Sequence, residues 1–92
     1  MVKKKVTIKN PSGLHARPAS LFVQIANKYE SDISVSKGKQ KVNGKSIMGI
    51  MMLAAEMGSK ILIVADGPDA ENAAKELESI LLSEKIEVNN EK

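Results

Sequence analysis

The chain has 92 residues, 42% of them hydrophobic, and its 14 basic and 11 acidic side chains give a formal charge of +3. The absence of cysteine excludes a disulfide framework and thiolate catalysis, and a single histidine argues against a conventional zinc site. No apolar run approaches the length of a membrane span, and the N-terminal lysines lead into an alternating pattern. We therefore predict a cytoplasmic protein without membrane insertion, metal or cofactor.

Hydrophobic periodicity divides the sequence into seven predicted elements. The first is a strand in which apolar and polar residues alternate, with Lys4 interrupting the apolar face. Turn residues then precede a helical pattern. Further along, serines alternate with Ile33 and Val35, Gly38 interrupts this alternation, and Val42 follows, which predicts a short hairpin. The predicted strands cover 2–8, the region of Ile33 and Val35, the region of Val42, and 61–65; the predicted helices cover 16–27, 47–53 and about 70–83.

The element order β-α-β-β-α-β-α predicts an α+β fold. Each helix must bury one apolar stripe, so three helices can cover one face of a four-stranded, mostly antiparallel sheet and form an open-faced β-sandwich. No internal repeat or linker interrupts the sequence. We expect one domain over 1–92, with a polar tail at 87–92 that frays.

The segment from Gly13 to Ser20 reads GLHARPAS and places the only histidine, His15, at the entry of the first helix. The first backbone amides of a helix lack intrahelical partners and lie at the positive end of the helix dipole, so they attract anions. Ala16, Arg17 and Pro18 therefore form a candidate phosphate-binding turn. In this turn Arg17 adds charged donors and Pro18 stiffens the backbone.

The imidazole of His15 is a candidate nucleophile, because much of a histidine population is unprotonated near neutral pH. Phosphoryl transfer depends mainly on positioning and charge stabilisation, so a surface histidine can serve in the active sites of two different partners. The alternative is that His15 is an ordinary surface residue beside a helix cap and Arg17 a solvated charge. Position alone does not exclude this alternative.

GLHARPAS resembles the active-site signature of the HPr family, the histidine phosphocarriers of the phosphoenolpyruvate:sugar phosphotransferase system. The resemblance continues through KSIMGIMML and the final helix and covers nearly the whole chain. It implies four antiparallel strands under three helices, and a carrier rather than an enzyme. Such a carrier accepts a phosphoryl group from enzyme I on Nδ1 of His15 and passes it to a sugar-specific enzyme IIA. Arg17 matches the active-site arginine of the family, and we expect a monomer.

Ser46 precedes the short second helix and is an ordinary N-cap candidate. Its segment also resembles the regulatory site of HPr from low-GC Gram-positive bacteria and their relatives. This resemblance implies phosphorylation by a dedicated HPr kinase/phosphorylase and contact with a catabolite-control transcription factor. Gly44-Lys45-Ser46 is not a P-loop, because Lys39 occupies the position where a P-loop needs its first glycine.

The second helix also carries four apolar residues, Ile47, Met48, Met51 and Met52, that could simply be core. A short helix cannot bury every side, however, and flexible methionines suit a surface that contacts several partners. We therefore predict that Ile47, Met48 and Met51 are partly exposed beside His15. Together with Met52 they form the predicted surface for partner docking, where the docking face of the HPr family also lies.

Two other function classes remain open. A regulatory paralogue of the HPr family would control metabolism or transcription without sugar transport. His15 favours phosphotransfer, because the paralogue Crh lacks the histidine. A small basic nucleic-acid-binding module is the third class, but Phe22 and Tyr29 are the only aromatic residues available for base stacking, so we predict no nucleic-acid partner.

Overall fold

A computed structural model of the protein describes residues 1–9, 11, 13–14 and 16–82. Within these residues the chain forms β1 (Val2–Thr7), α1 (Ala16–Ala26), β2 (Asp32–Lys37), β3 (Gln40–Asn43), α2 (Ile47–Met52), β4 (Lys60–Asp66) and α3 (Ala70–Leu82). The predicted order of elements is confirmed. The predicted helix end near Ser83 and the predicted tail at 87–92 lie outside the described residues. None of the helices in the described ranges is long and apolar enough to cross a lipid bilayer.

The strands form one antiparallel sheet in the order β1-β4-β2-β3. The central strand β4 pairs with β1, where Val6 lies opposite Ile61, and with β2, where Val35 lies opposite Ile63. β2 and β3 form the predicted hairpin, and Val42 lies opposite Val35 there. β1 and β3 are therefore the two edges of the described sheet.

The position of β1 at an edge explains why its apolar face tolerates a lysine. Lys4 is only half-buried, and its Nζ lies 3.9 Å from Oε1 of Glu78 on α3. The stem of a lysine can cover apolar surface while its ammonium group stays in water. Lys4 therefore covers the border of the core without burying an unpaired charge.

The three helices pack on one face of the sheet, which confirms the open-faced β-sandwich. Side chains that face the helices alternate with exposed ones along each strand, as the pleat requires. In α1, Ala19, Phe22 and Ala26 are fully buried, and they recur at the spacing of one helix face. In α3 the buried stripe consists of Ala70, Ala73, Ala74, Leu77, Ile80 and Leu81.

Several predicted element ends differ from the observed ends by one residue. Ile8 is buried but follows β1, because its N–H donates to Ser59 O and its carbonyl accepts from Gly58 N, both in the turn before β4. Asn27 and Leu53 each donate a backbone N–H to a carbonyl four residues earlier, so each closes a helix that ends one residue before it. β4 extends one residue further than predicted at both ends.

Candidate functional site

The backbone just before His15 is packed tightly against the segment that follows α2. Gly13 has a φ of 62°, and a Cβ placed on it would lie 2.6 Å from Ala55 O and 2.8 Å from the Cα of Glu56. Leu14 is buried, and its N–H donates to Ala55 O at 2.8 Å. His15 itself lies outside the described residues. The two residues before His15 are therefore held in place, Gly13 by its close approach to the backbone of Ala55 and Glu56 and Leu14 by burial and a hydrogen bond.

The first turn of α1 begins directly after His15. Ala16 is its first residue, Arg17 is exposed and Pro18 is buried. The turn itself carries no acidic side chain that would compete with an anion for the helix N-terminus. Because Pro18 has no backbone N–H, it can shape this turn but cannot donate a hydrogen bond to a phosphate. The side chain of Arg17, in contrast to that of Pro18, is exposed to solvent.

Ser46 is the N-cap of α2, as the sequence predicts. It has extended backbone dihedrals, and its Oγ accepts a hydrogen bond from Gly49 N at 3.1 Å. A serine in this geometry satisfies one of the amides that a helix leaves free at its start. Its side chain is half-buried, so its hydroxyl lies at the edge of the packed surface and not within the core.

α2 buries one side and exposes the other. Ile50 is fully buried, whereas Ile47 is 39% exposed, Met51 46%, Met52 66% and Met48 72%. Successive residues of an α-helix are about 100° apart, so these four exposed side chains share an arc of roughly 140°. We name this set, Ile47, Met48, Met51 and Met52, the α2 apolar face. The predicted exposure of Ile47, Met48 and Met51 is confirmed.

Two side chains of the β2–β3 hairpin hold the carboxyl end of α2. Lys37 Nζ donates to Ala54 O at 3.1 Å, and Gln40 Nε2 donates to Met52 O at 3.2 Å. Ala54 has a φ of 52°, a left-handed conformation that is costly for alanine. The chain then runs to Ala55, which accepts from Leu14. These contacts connect the end of the α2 apolar face to the backbone next to His15, and sequence reasoning did not find them.

A second group of hydrogen bonds holds the approach to α2 against the end of α1. Asn27 Nδ2 donates to Val23 O at 2.9 Å and to Lys45 O at 3.2 Å. Lys45 Nζ in turn donates to Tyr29 O at 2.7 Å. Asparagine after a helix was the only available sequence signal, and it does not reveal the partner 18 residues away.

Carboxylates on and before α3 bind the segment that joins α1 to β2. The hydrogen bond from the Tyr29 hydroxyl to the Glu76 carboxylate raises the pKa of Tyr29 and lowers the pKa of Glu76. The Ser31 hydroxyl donates to Asp69, as do the backbone amides of Glu30 and Ser31. These bonds lower the pKa of Asp69, and the Ser31 hydroxyl contributes most. The carboxylates stabilise the fold at neutral pH and lie outside the α1 entry.

The Gly44-Lys45-Ser46 segment has a packing role that accounts for its glycine. Gly44 N donates to Ile33 O at 2.7 Å, and a Cβ on Gly44 would lie 2.5 Å from Cγ2 of Ile33. Only glycine permits this approach of the turn to β2. Lys45 and Ser46 have the hydrogen bonds described above. This arrangement agrees with the rejection of a P-loop.

The sequence matches a known protein family over nearly its whole length. Residues 2–83 match the family model described as the PTS HPr component phosphorylation site. The match covers every strand and helix of the described fold. It therefore includes His15, Arg17 and Ser46.

Individual relatives of two kinds resemble the chain. The HPr-like protein Crh of Bacillus subtilis is 44% identical over 91% of this chain and 99% of its own. The phosphocarrier protein HPr of Borreliella burgdorferi is 45% identical over 90% of this chain and 96% of its own. The crystal structure of a phosphocarrier protein HPr from Bacillus anthracis is 49% identical, with a TM-score of 0.85 over 87% of this chain and 95% of that one. Overall identity does not separate the two kinds of relative.

Proposed function

Because the chain belongs to the HPr family, we propose that it is a phosphocarrier that accepts a phosphoryl group from enzyme I on His15 and passes it to sugar-specific enzyme IIA domains. The observation that carries this proposal is the match of residues 2–83 to a phosphorylation-site family, with one histidine in the chain. The test is incubation with enzyme I and labelled phosphoenolpyruvate. One acid-labile, base-stable phosphate per chain is expected.

In the proposed transfer, an imidazole nitrogen of His15, Nδ1 by the family resemblance, attacks the phosphorus held by enzyme I. The new N–P bond forms as the bond between the phosphoryl group and enzyme I breaks. Negative charge on the phosphoryl oxygens is then stabilised by the guanidinium of Arg17 and by amides at the start of α1. Pro18 contributes by fixing the turn. Passing the group to enzyme IIA reverses these steps, so the carrier is regenerated and no cofactor is required.

We propose that the α2 apolar face is the surface on which enzyme I docks. This face is apolar, exposed and held at both ends, by the Ser46 cap and by Lys37 and Gln40. It also leads, through Ala55 and Leu14, to the backbone next to His15. A partner that covers this face would bring its own active site near the start of α1, while the carrier acts as a monomer.

Arg17→Ala is expected to slow phosphoryl transfer from enzyme I by at least about tenfold. The free energy of unfolding should change by only about 0.5 kcal/mol, because Arg17 is exposed and its loss leaves no cavity. Rapid-quench labelling gives the transfer rate, and urea unfolding gives the stability.

The matched control for this variant is Arg17→Lys, which keeps the charge but loses the planar pair of donors. An intermediate transfer rate is expected for the lysine variant. Equal rates for native protein and Arg17→Ala would remove Arg17 from the site.

We also propose that Ser46 is a regulatory phosphorylation site for an HPr kinase/phosphorylase. Ser46→Asp is expected to fold normally, because negative charge is favoured at a helix start, yet to raise the apparent KM for enzyme I roughly three- to tenfold. The reason is that the charge lies beside the α2 apolar face and must be desolvated when a partner docks. Steady-state transfer kinetics measure the effect.

Ser46→Asn separates charge from capping, since asparagine is a good N-cap, has the shape of aspartate and is neutral. Its KM should stay near the native value. Native kinetics in both Ser46→Asp and the authentic phosphoserine protein would leave Ser46 as a cap only.

The alternative function is that of a regulatory paralogue, which would meet kinases or a catabolite-control transcription factor without serving sugar transport. Its support is the similarity to Crh of Bacillus subtilis. The presence of His15 favours the carrier, because the family resemblance implies that a Crh-type paralogue lacks this histidine. A chain that fails to accept phosphate from enzyme I but is phosphorylated on Ser46 would establish the alternative.

A further inference from the structure

Methionine is distributed unusually in this protein. All five methionines lie among the described residues, and all are exposed, from 46% at Met51 to 75% at Met1. Methionine is normally one of the more frequently buried residues. Here the buried core consists of leucine, isoleucine, valine, alanine and one phenylalanine. Oxygen added to a methionine sulfur would consequently not enter the core.

The composition leaves few other targets for a two-electron oxidant. The chain has no cysteine and no tryptophan. A thiolate would normally react with a peroxide first, and a thioether is the next side chain on that ladder. Peroxide chemistry on this protein is therefore directed to the exposed methionine sulfurs.

Three of these sulfurs are concentrated on the α2 apolar face. Met48, Met51 and Met52 lie on one exposed arc of a helix of six residues. The other two methionines are separate from this helix, Met1 at the N-terminus and Met57 in the turn before β4. Several polar groups could thus appear together on one small surface.

We propose that Met48, Met51 and Met52 form a reversible oxidation site, at which hydrogen peroxide or a related peroxide weakens docking to enzyme I. In each step a sulfur lone pair attacks one oxygen of the peroxide and the O–O bond breaks. The proton on the attacked oxygen passes to the departing oxygen, which leaves as water from hydrogen peroxide or as an alcohol from an organic peroxide. The thioether is oxidised to a sulfoxide and the peroxide is reduced. This inference rests on the proposed function of the α2 apolar face.

The contacts that hold α2 indicate that the helix stays folded when its methionines are oxidised, although its exposed surface becomes polar. Ile50 anchors α2 in the core, and Ser46 caps it through Gly49, and neither contact involves a sulfur. Each sulfoxide is a strong hydrogen-bond acceptor that must lose water when an apolar partner surface covers it. Methionine sulfoxide reductases restore the thioether, which makes the site reversible.

The experiment treats the full chain with hydrogen peroxide, removes the peroxide, and then measures transfer from enzyme I. Peptide mass mapping should show oxidation at all three α2 methionines, with an unchanged circular dichroism spectrum. The apparent KM should rise by about tenfold or more and return after treatment with methionine sulfoxide reductases. Loss of the folded spectrum on oxidation would overturn the proposal.

Two variants locate the effect, each compared with its own untreated sample. Met57→Leu should respond to peroxide as the native chain does. Replacing Met48, Met51 and Met52 together by leucine should abolish the response, and a KM that still rises would overturn the proposal. Unchanged KM in a fully oxidised native chain that accepts phosphate refutes the oxidation site alone. Failure of the untreated chain to accept phosphate refutes the carrier function and the switch together.

Discussion

His15→Ala is expected to abolish labelling of the chain by enzyme I and radioactive phosphoenolpyruvate while the fold is retained. The chain has one histidine, so the substitution removes the only imidazole that can form an acid-labile, base-stable phosphoramidate. The amides at the start of α1 can still attract an anion, but the variant has no imidazole to accept the phosphoryl group. Labelling followed by acid and base treatment measures the loss, and circular dichroism measures the fold.

A suitable control is Asn72→Ala, at an exposed position on α3 away from the α1 entry and α2. It should be labelled as fully as the native chain. Stable labelling of the His15→Ala chain would mean that another residue accepts the phosphoryl group, and the proposed function would be wrong.

Gly13→Ala is expected to lower the free energy of unfolding by about 2–5 kcal/mol and to slow phosphoryl transfer as well. An alanine there must adopt a left-handed backbone conformation, which costs about 1–2 kcal/mol. Its Cβ would also overlap Ala55 O and the Cα of Glu56, and relief of such overpacking typically costs about 1–3 kcal/mol. Since neither contact is a flexible side chain, the backbone beside His15 must move. Urea unfolding and labelling kinetics measure the two effects.

Gly38 provides the matched control for this prediction. Its φ of 61° is nearly the same as that of Gly13, but a Cβ there meets nothing within 4 Å. Gly38→Ala should therefore cost only the conformational part, about 1–2 kcal/mol, and leave transfer kinetics unchanged. Equal destabilisation by the two substitutions would show that the contact of Gly13 with Ala55 and Glu56 is unimportant.

The fold was predictable from sequence because its elements carry clear periodicity. The apolar residues of α3 from Ala70 to Leu81 recur at helical spacing in the sequence, and all six residues of this stripe are buried. The element ends were less certain, since Asn27 and Leu53 still donate helical hydrogen bonds without belonging to the helices. Sequence periodicity does not record how a helix is closed.

Half of the candidate site was also predictable. The Ser46 cap and the exposure of the α2 apolar face follow from local pattern, because a six-residue helix exposes one side. The contacts that hold this helix do not. Lys37 reaches Ala54 across 17 positions, and the Asp69 carboxylate reaches Ser31 across 38. A single sequence contains the donors and acceptors but not the strand order that brings them together.

Asp69 directly precedes α3, a position at which aspartate commonly caps a helix. In the fold its side chain binds the segment before β2 instead. Ala54 carries no signal for its left-handed backbone, which glycine would normally indicate. Because contacts between residues distant in sequence determine where α2 lies, the exposure of the α2 apolar face could be predicted from the sequence but its position in the fold could not.

The strand order β1-β4-β2-β3 also affects how the chain reaches its native state during synthesis. Val2 pairs with Ala65, so the first strand finds its only partner in the sheet near the far end of the described fold. Of the three strand pairings in the described sheet, only the β2–β3 hairpin is local in sequence. Non-local pairings slow folding because the entropy cost of closing a long loop arises before any stabilising contact between the strands has formed. A ribosome needs on the order of several seconds to extend the chain from β1 to β4, and throughout that time the native partner of β1 has not been synthesised.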